Sequence, residues 1–253
     1  MAERDGGRDR RRPLLEVCVD DPAGLAAAIE GGADRIELCA ALSVGGLTPS
    51  RGFMAHAARS PILVHALIRP RTGDFVLSAD DLRVMVDDVR AARSAGLAGV
   101  VIGALQPDGR LDLEVLKPLI AAAEGMDLAL NRAFDLARDQ EEALETAVRL
   151  GFSRILTSGG ARTAIEGLPR LERLANRAAG RLSVMPGSGV RPETVEALLS
   201  LPGVFELHAS CSAPITAADP RLSAFGFSQP GERRTTVEAV RAMKDRMLRS
   251  VAG

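Results

Sequence analysis

Strand signals and helix signals alternate strictly along this chain, eight times over, and that alternation decides what it can fold into. The apolar, strand-like segments are Leu14–Val19, Arg35–Cys39, Ile62–Ile68, Gly99–Ala104, Asp127–Asn131, Arg154–Thr157, Leu182–Met185 and Phe205–Ser210. A helix signal follows each. Asp21-Pro22 opens the first helix, which ends at Gly31, and Thr48-Pro49 opens the second by the same device. Ser78 with Asp81 three residues on starts a long third helix reaching Gly96. The fourth, about Leu113–Glu124, contains Pro118 and is expected to kink or start late. The fifth covers Asp139–Leu150, the sixth is expected to break at Pro169, and the seventh starts at Arg191-Pro192. A long polar loop, about Cys211–Arg234, precedes a last helix from Thr235 to about Arg249.

Alternating units pair their strands in parallel through right-handed crossovers. An open doubly wound sheet is the rival, but eight near-equal units with short loops favour a closed TIM-type (β/α)8 barrel. The chain has 253 residues, about the usual size of one such barrel, and no linker divides it. The expected organisation is a disordered N-terminal tail over residues 1–12, polar and Arg-rich, and a single α/β barrel domain over residues 13–253.

Composition removes several function classes. The net charge is −1 and there is no Trp or Tyr, so neither a basic field nor base stacking points to nucleic acid. No apolar run is long enough to span a membrane, and the N-terminal residues do not read as a secretory signal. Three cysteines without a secretory segment suggest free thiols in a reducing cytoplasm. The only lysines are Lys117 and Lys244, both in helical patterns, which argues against Schiff-base chemistry.

In a barrel of this kind the apolar face of each strand meets the helices and the other face fills the interior. Alternation then sends Glu16 and Cys18, Glu37 and Cys39, His65 and Arg69, Asn131, and Glu206, His208 and Ser210 inward, toward the C-terminal strand ends. Buried charges must pair or bind something. Arg69 is the expected partner of Glu16 or Glu37. Either these groups form a structural ion-pair plug, or they line a polar pocket. Adjacent strands lie about 4.8 Å apart, so Cys18 and Cys39 are candidate ligands for one soft ion, Cu(I) or Zn. Buried free cysteine is also an ordinary core residue. Cys211 is expected to face outward.

Loops after the sixth and seventh strands carry Gly159 and Gly160, and Gly187 and Gly189. Their amides are candidates for holding an oxyanion or phosphate, and equally for ordinary tight turns. Charged rim loops carry Arg71 and Asp74, and Arg132 and Asp135, which either fix an anion or close the mouth with salt bridges. An enzyme built on these residues would be an isomerase or lyase without a Schiff base, acting on a small anionic metabolite. Glu16, Glu37, His208 and Asp135 would move protons, and His65, Arg69, Arg132 and the glycine loops would hold the anion.

Several stretches together resemble the CutC family of copper homeostasis proteins: LLEVCVD, GGADRIELCAALSVGGLTPS, IRPRTGDF, NRAFD, RILTSGG, LSVMPGSGV and ELHAS. The resemblance covers about residues 14–212. It implies a TIM-type barrel, usually a homodimer, in a cytoplasmic protein that handles copper and binds Cu(I). It places copper-binding thiols on Cys18 and Cys39, and the family's polar barrel residues on Glu16, Glu37, Arg69, Arg132, Asp135 and His208. Two positions depart from the family pattern. Asn131 stands where a histidine is usual, which removes an acid/base or ligand group, and Leu77 replaces an aromatic residue.

Overall fold

A computed structural model describes residues 12–215, 219–227 and 231–252. The expected tail over residues 1–12 lies outside them, apart from Arg12. Eight parallel strands form one sheet: β1 (Leu14–Val19), β2 (Arg35–Leu38), β3 (Leu63–Leu67), β4 (Gly99–Ile102), β5 (Asp127–Leu130), β6 (Arg154–Thr157), β7 (Ser183–Pro186) and β8 (Glu206–Ala209). Their order is β7-β6-β5-β4-β3-β2-β1-β8. β7 and β8 meet at the seam without a hydrogen-bonded ladder. A Cβ at Gly187, just past β7, would stand 3.5 Å from the His208 side chain on β8. The sheet is therefore a nearly closed TIM-type barrel, and the chain forms one α/β domain.

The helices wrap the outside: α1 (Pro22–Gly31), α2 (Arg51–Ala57), α3 (Ala79–Ala95), α4 (Leu113–Ala122), α5 (Gln140–Arg149), α6 (Leu168–Ala178), α7 (Val195–Leu199), α8 (Pro220–Ala224) and α9 (Val237–Ala252). Most of their starts follow from local chemistry. The Asp21 carboxylate accepts from the Gly24 amide, and Pro22 occupies the first turn, where its missing N–H costs nothing. Ser78 and Asp81 form a reciprocal capping box. Gly31 lets α1 approach α9 closely, since a Cβ there would lie 2.4 Å from Val240 Cβ.

Four expectations shift. Ser50, not Thr48, caps α2 through the Phe53 amide. Pro118 is carried inside α4, which starts on time behind the Asp112 cap. Pro169 begins α6 rather than breaking it, because the first turn has no hydrogen bond for a proline to remove. The segment after β8 is not all loop: β9 (Ser212–Pro214) pairs antiparallel with β10 (Arg233–Thr235), with α8 between them.

The core has two compartments. Most buried apolar side chains lie between strands and helices, among them Leu15, Val17, Ile36, Leu38, Val100, Leu130 and Leu207. A second, small cluster contains Cys18, Cys39, Leu67, Val101 and Ala129, with Leu42 against it. This second set has the inward parity of its strands and lines the barrel. Cys211 packs with the outer set, as alternation predicts.

Candidate metal centre in the barrel interior

The lower interior is ionic. Arg35 opens β2 with the same inward parity as Glu37. Its Nε donates to Glu16 Oε2, and its Nη2 donates to Glu206 Oε2 at 2.7 Å and to Met185 Sδ at 3.4 Å. Arg154, first in β6, donates from Nε to the same Glu206 oxygen at 3.0 Å and from Nη1 to Asp127 Oδ2 at 2.5 Å. Ser153 Oγ also donates to Asp127. The groups run as a chain, Glu16–Arg35–Glu206–Arg154–Asp127, buried at every member but the last, since Asp127 is half-buried. Within it two guanidinium groups face three carboxylates.

His65 stands beside this floor, fully buried, with Nε2 3.5 Å from Asp127 Oδ2. Neither ring nitrogen has a hydrogen-bond partner among the described residues. Burial, reinforced by Arg35 and Arg154 against the pull of Glu16, lowers its pKa to about 4. Burial thus favours the neutral ring.

Above the floor the chemistry changes. Cys18 lies opposite Glu37 in the β1–β2 ladder, and Glu16 lies opposite His208 in the β1–β8 ladder. Three strands that are neighbours in the sheet thereby bring a thiol, a carboxyl and an imidazole to one point. One ligand atom from each of Cys18, Glu37 and His208 lies within 4.8 Å of the other two. His208 Nδ1 is 2.9 Å from Glu16 Oε1, and Nε2 is 3.7 Å from Glu37 Oε2. All three side chains are buried, with apolar neighbours above and beside them.

Charge is distributed unevenly between the two carboxylates. Burial works against ionised Glu16, but Arg35 and His208 outweigh it and hold its pKa well below the usual range. Glu37 has no guanidinium in contact. Burial, with Glu16 nearby, pushes its pKa up despite His208. Burial also opposes a charged His208, yet Cys18, Glu16 and Glu37 together raise its pKa well above the usual value. Burial thus favours the neutral form of Glu37, while its acidic and thiol neighbours favour the charged form of His208.

Cys39 takes part differently from the expectation. It lies two residues beyond the partner of Cys18, one pleat nearer the mouth, and donates to Glu37 Oε2 at 3.6 Å and to its carbonyl at 3.8 Å. Burial, then Glu37 and Cys18, raise its pKa well above the ordinary thiol value.

The rim residues are largely engaged with each other. Arg69 does not reach Glu16 or Glu37. It donates to the carbonyls of Val44, Gly46 and Gly73 and lies 5.0 Å from the Phe75 ring centroid, tying two loops together. It sits past the end of β3, where strand alternation no longer fixes direction. Asn131 uses its side chain to accept from the Ala133 amide, capping a short turn of helix. Arg71 pairs with Asp74 and Asp81. Ser210 is exposed, its hydroxyl 2.9 Å from that of Ser212.

Asp135 is the most heavily bonded rim group. It accepts from Arg132 Nε at 2.7 Å, Thr157 Oγ1 at 2.5 Å, the Ser158 hydroxyl and amide at 3.0 Å, and the Gly160 amide at 3.0 Å. The Gly159 amide donates to Thr157 Oγ1 and the Gly187 amide to the Thr157 carbonyl. An internal carboxylate thus occupies the amide cradle where an external anion was expected. Gly189, with φ 69°, abuts Thr163 in the loop after β6.

Sequence reasoning placed Glu16, Cys18, Glu37 and His208 in the interior but passed over Arg35, Asp127 and Arg154. Each is the first residue of its strand and reads as a boundary. Counting back by two from Glu37 identifies Arg35, and from Leu156 identifies Arg154.

The parallel barrel, with its buried thiol–imidazole–carboxyl cluster above an ion-paired floor, places the chain in the TIM-barrel class. A model of the CutC family matches residues 13–213. A CutC family protein from Rhizobium meliloti is 58% identical over 236 residues, 93% of this chain and 96% of that one. One from Caulobacter vibrioides is 53% identical over 239 residues, 92% and 98% of the two chains. A crystal structure from Streptococcus agalactiae, designated a copper homeostasis protein CutC, has a TM-score of 0.75 at 32% identity, covering 78% of this chain and 98% of that one. The chain belongs to the CutC family. A thiamine phosphate pyrophosphorylase from Pyrococcus furiosus, 14% identical with a TM-score of 0.58 over 96% and 99% of the chains, shares the barrel fold alone.

Proposed function

We propose that this protein binds copper as Cu(I) inside the barrel, with Cys18 and His208 as its main donors and Glu37 beside them. The observation that carries the reading is the convergence of the three ligand atoms within 4.8 Å of one another. Bonds of about 2.0–2.3 Å put ligand atoms on one ion roughly 3–4.5 Å apart, so small side-chain shifts complete the site. Thiolate and imidazole suit copper. The designation of the Streptococcus agalactiae relative supports the choice of metal.

Copper there would bring a soft positive charge against the thiol. The chain's own residues do the rest. To ligate, Cys18 would give up its thiol proton and His208 would present a nitrogen free of hydrogen, and the positive charge of the ion would offset the negative charge of the thiolate. Cys39 donates to Glu37 and stands as a further thiol toward the mouth, in reach of an ion entering or leaving. Cytoplasmic residence and a homodimer belong to the same reading. The three free, buried thiols support the first, and the family resemblance supports both.

Anaerobic Cu(I) titration against a chromogenic chelator tests it. Wild type should take one equivalent. Cys18→Ser should lose it, His208→Ala should weaken it strongly, and Cys39→Ser should weaken it less. Unchanged stoichiometry and affinity in Cys18→Ser would end the proposal.

A second reading, catalysis on a small anionic metabolite, is favoured by one observation: the Glu37 carboxyl lies 3.7 Å from His208 Nε2, an acid and an imidazole buried side by side in the interior of a TIM-type barrel. Glu37 would then act as acid and base. The filled amide cradle at Asp135 weighs against a phosphorylated substrate. Thermal-shift measurements with phosphate and with simple carboxylates separate the two cases.

A further inference from the structure

We infer that Glu16 is a positioning residue that locks His208 with its proton on Nδ1, so that Nε2 is the nitrogen presented to an incoming metal ion. The inference deepens the copper reading and rests on it for the role of Nε2.

The two oxygens of Glu16 have separate partners. Oε2 accepts from Arg35 Nε, and Oε1 faces His208 Nδ1 at 2.9 Å. Arg35 is tied in turn to Glu206, Glu206 to Arg154, and Arg154 to Asp127. The carboxylate cannot rotate toward another partner without breaking its bond to a guanidinium that is itself held on the far side. Both side chains are closed to water, with relative exposure of 1% for Glu16 and 2% for Arg35. No solvent molecule can substitute for the Nδ1–H donor.

Formal charge on the floor points the same way. Three carboxylates, Glu16, Glu206 and Asp127, share two guanidinium groups, Arg35 and Arg154. The floor carries one more carboxylate than guanidinium, and the Glu16 oxygen that no guanidinium holds, Oε1, is the one aimed at the ring. A carboxylate cannot donate, so the ring nitrogen against it must carry the hydrogen. Metal-bound histidines commonly have their second nitrogen held this way, and removing the holder typically costs 10–100-fold in affinity. Here the holder is anchored by a four-partner ionic chain that crosses the barrel.

The test has two independent readouts. Long-range ¹H–¹⁵N spectra of the metal-free wild type, at a pH where the His208 ring is neutral, should show the proton on Nδ1. A ring dominated by the Nε2–H form overturns the inference, whatever the protein does with copper. In Glu16→Gln the floor keeps two guanidinium and two carboxylate groups, so the fold should persist. The tautomer preference should collapse and Cu(I) affinity fall 10–100-fold, while Glu16→Asp, which keeps the charge, should recover part of it. Wild-type affinity in Glu16→Gln overturns the inference. If wild type binds no Cu(I) the copper reading fails, and the tautomer spectrum alone then upholds or overturns the lock.

Discussion

Cys18 stands opposite Glu37 in the β1–β2 ladder, and Cys39 is one pleat further on. Two cysteines at equivalent places on adjacent strands read from sequence as a matched thiol pair. The register makes the partners unlike, thiol against carboxyl, and β8 supplies the imidazole. The site is consequently a mixed sulfur, nitrogen and oxygen cluster with a second thiol above it.

This register predicts that Cys18 and Cys39 do not form a disulfide. One strand across and two residues along place their Cα atoms roughly 8 Å apart, and a disulfide reaches about 7 Å at most. Mild oxidation of the folded protein followed by non-reducing peptide mapping should find neither residue linked to the other. A Cys18–Cys39 peptide in the native state would contradict the register.

Acid should weaken the fold through His65 before it does so through the carboxylates. Its folded pKa is about 4 and the ordinary value is 6.5, so the unfolded chain takes the proton first as pH falls. Its contribution is complete above about pH 6.5 and lost progressively down to about pH 4. The total is about 3 kcal/mol. Urea unfolding at pH 7 and pH 4.5 should show this slope in wild type and a flatter one in His65→Leu. Glu16, with a lowered pKa, adds its own loss only below the usual carboxylate range.

Asp135 should prove structural. Its carboxylate gathers a guanidinium, two hydroxyls and two amides from the loop after β6. Asp135→Asn removes the charge those donors converge on and should cost roughly 2–4 kcal/mol. Amide exchange at Ser158 and Gly160 should accelerate, while Cu(I) stoichiometry stays at one. Loss of copper binding with unchanged exchange would assign Asp135 to the metal site instead.

The barrel was legible because its cause is periodic. Alternating units dictate parallel pairing, and within a strand a period of two separates Leu15 and Val17 from Glu16 and Cys18. The same rule placed Glu37 and His208. It stopped working where strands stop. Arg69 lies two residues past β3 and turns to loop carbonyls, and Asn131 leaves β5 to cap a helical turn. At the other ends, Arg35, Asp127 and Arg154 open their strands, and a charged residue there resembles a boundary. The bonds of Asp135 follow no period at all, since they depend on how two rim loops meet in space.

The most direct test of the mixed-donor centre is anomalous diffraction at the copper edge from crystals loaded with Cu(I) under anaerobic conditions. The predicted result is one peak inside the barrel, about 2.3 Å from Cys18 Sγ and about 2.0 Å from His208 Nε2. A peak bridging Cys18 and Cys39 with His208 still bonded only to carboxylates, or no peak among these residues, would contradict it.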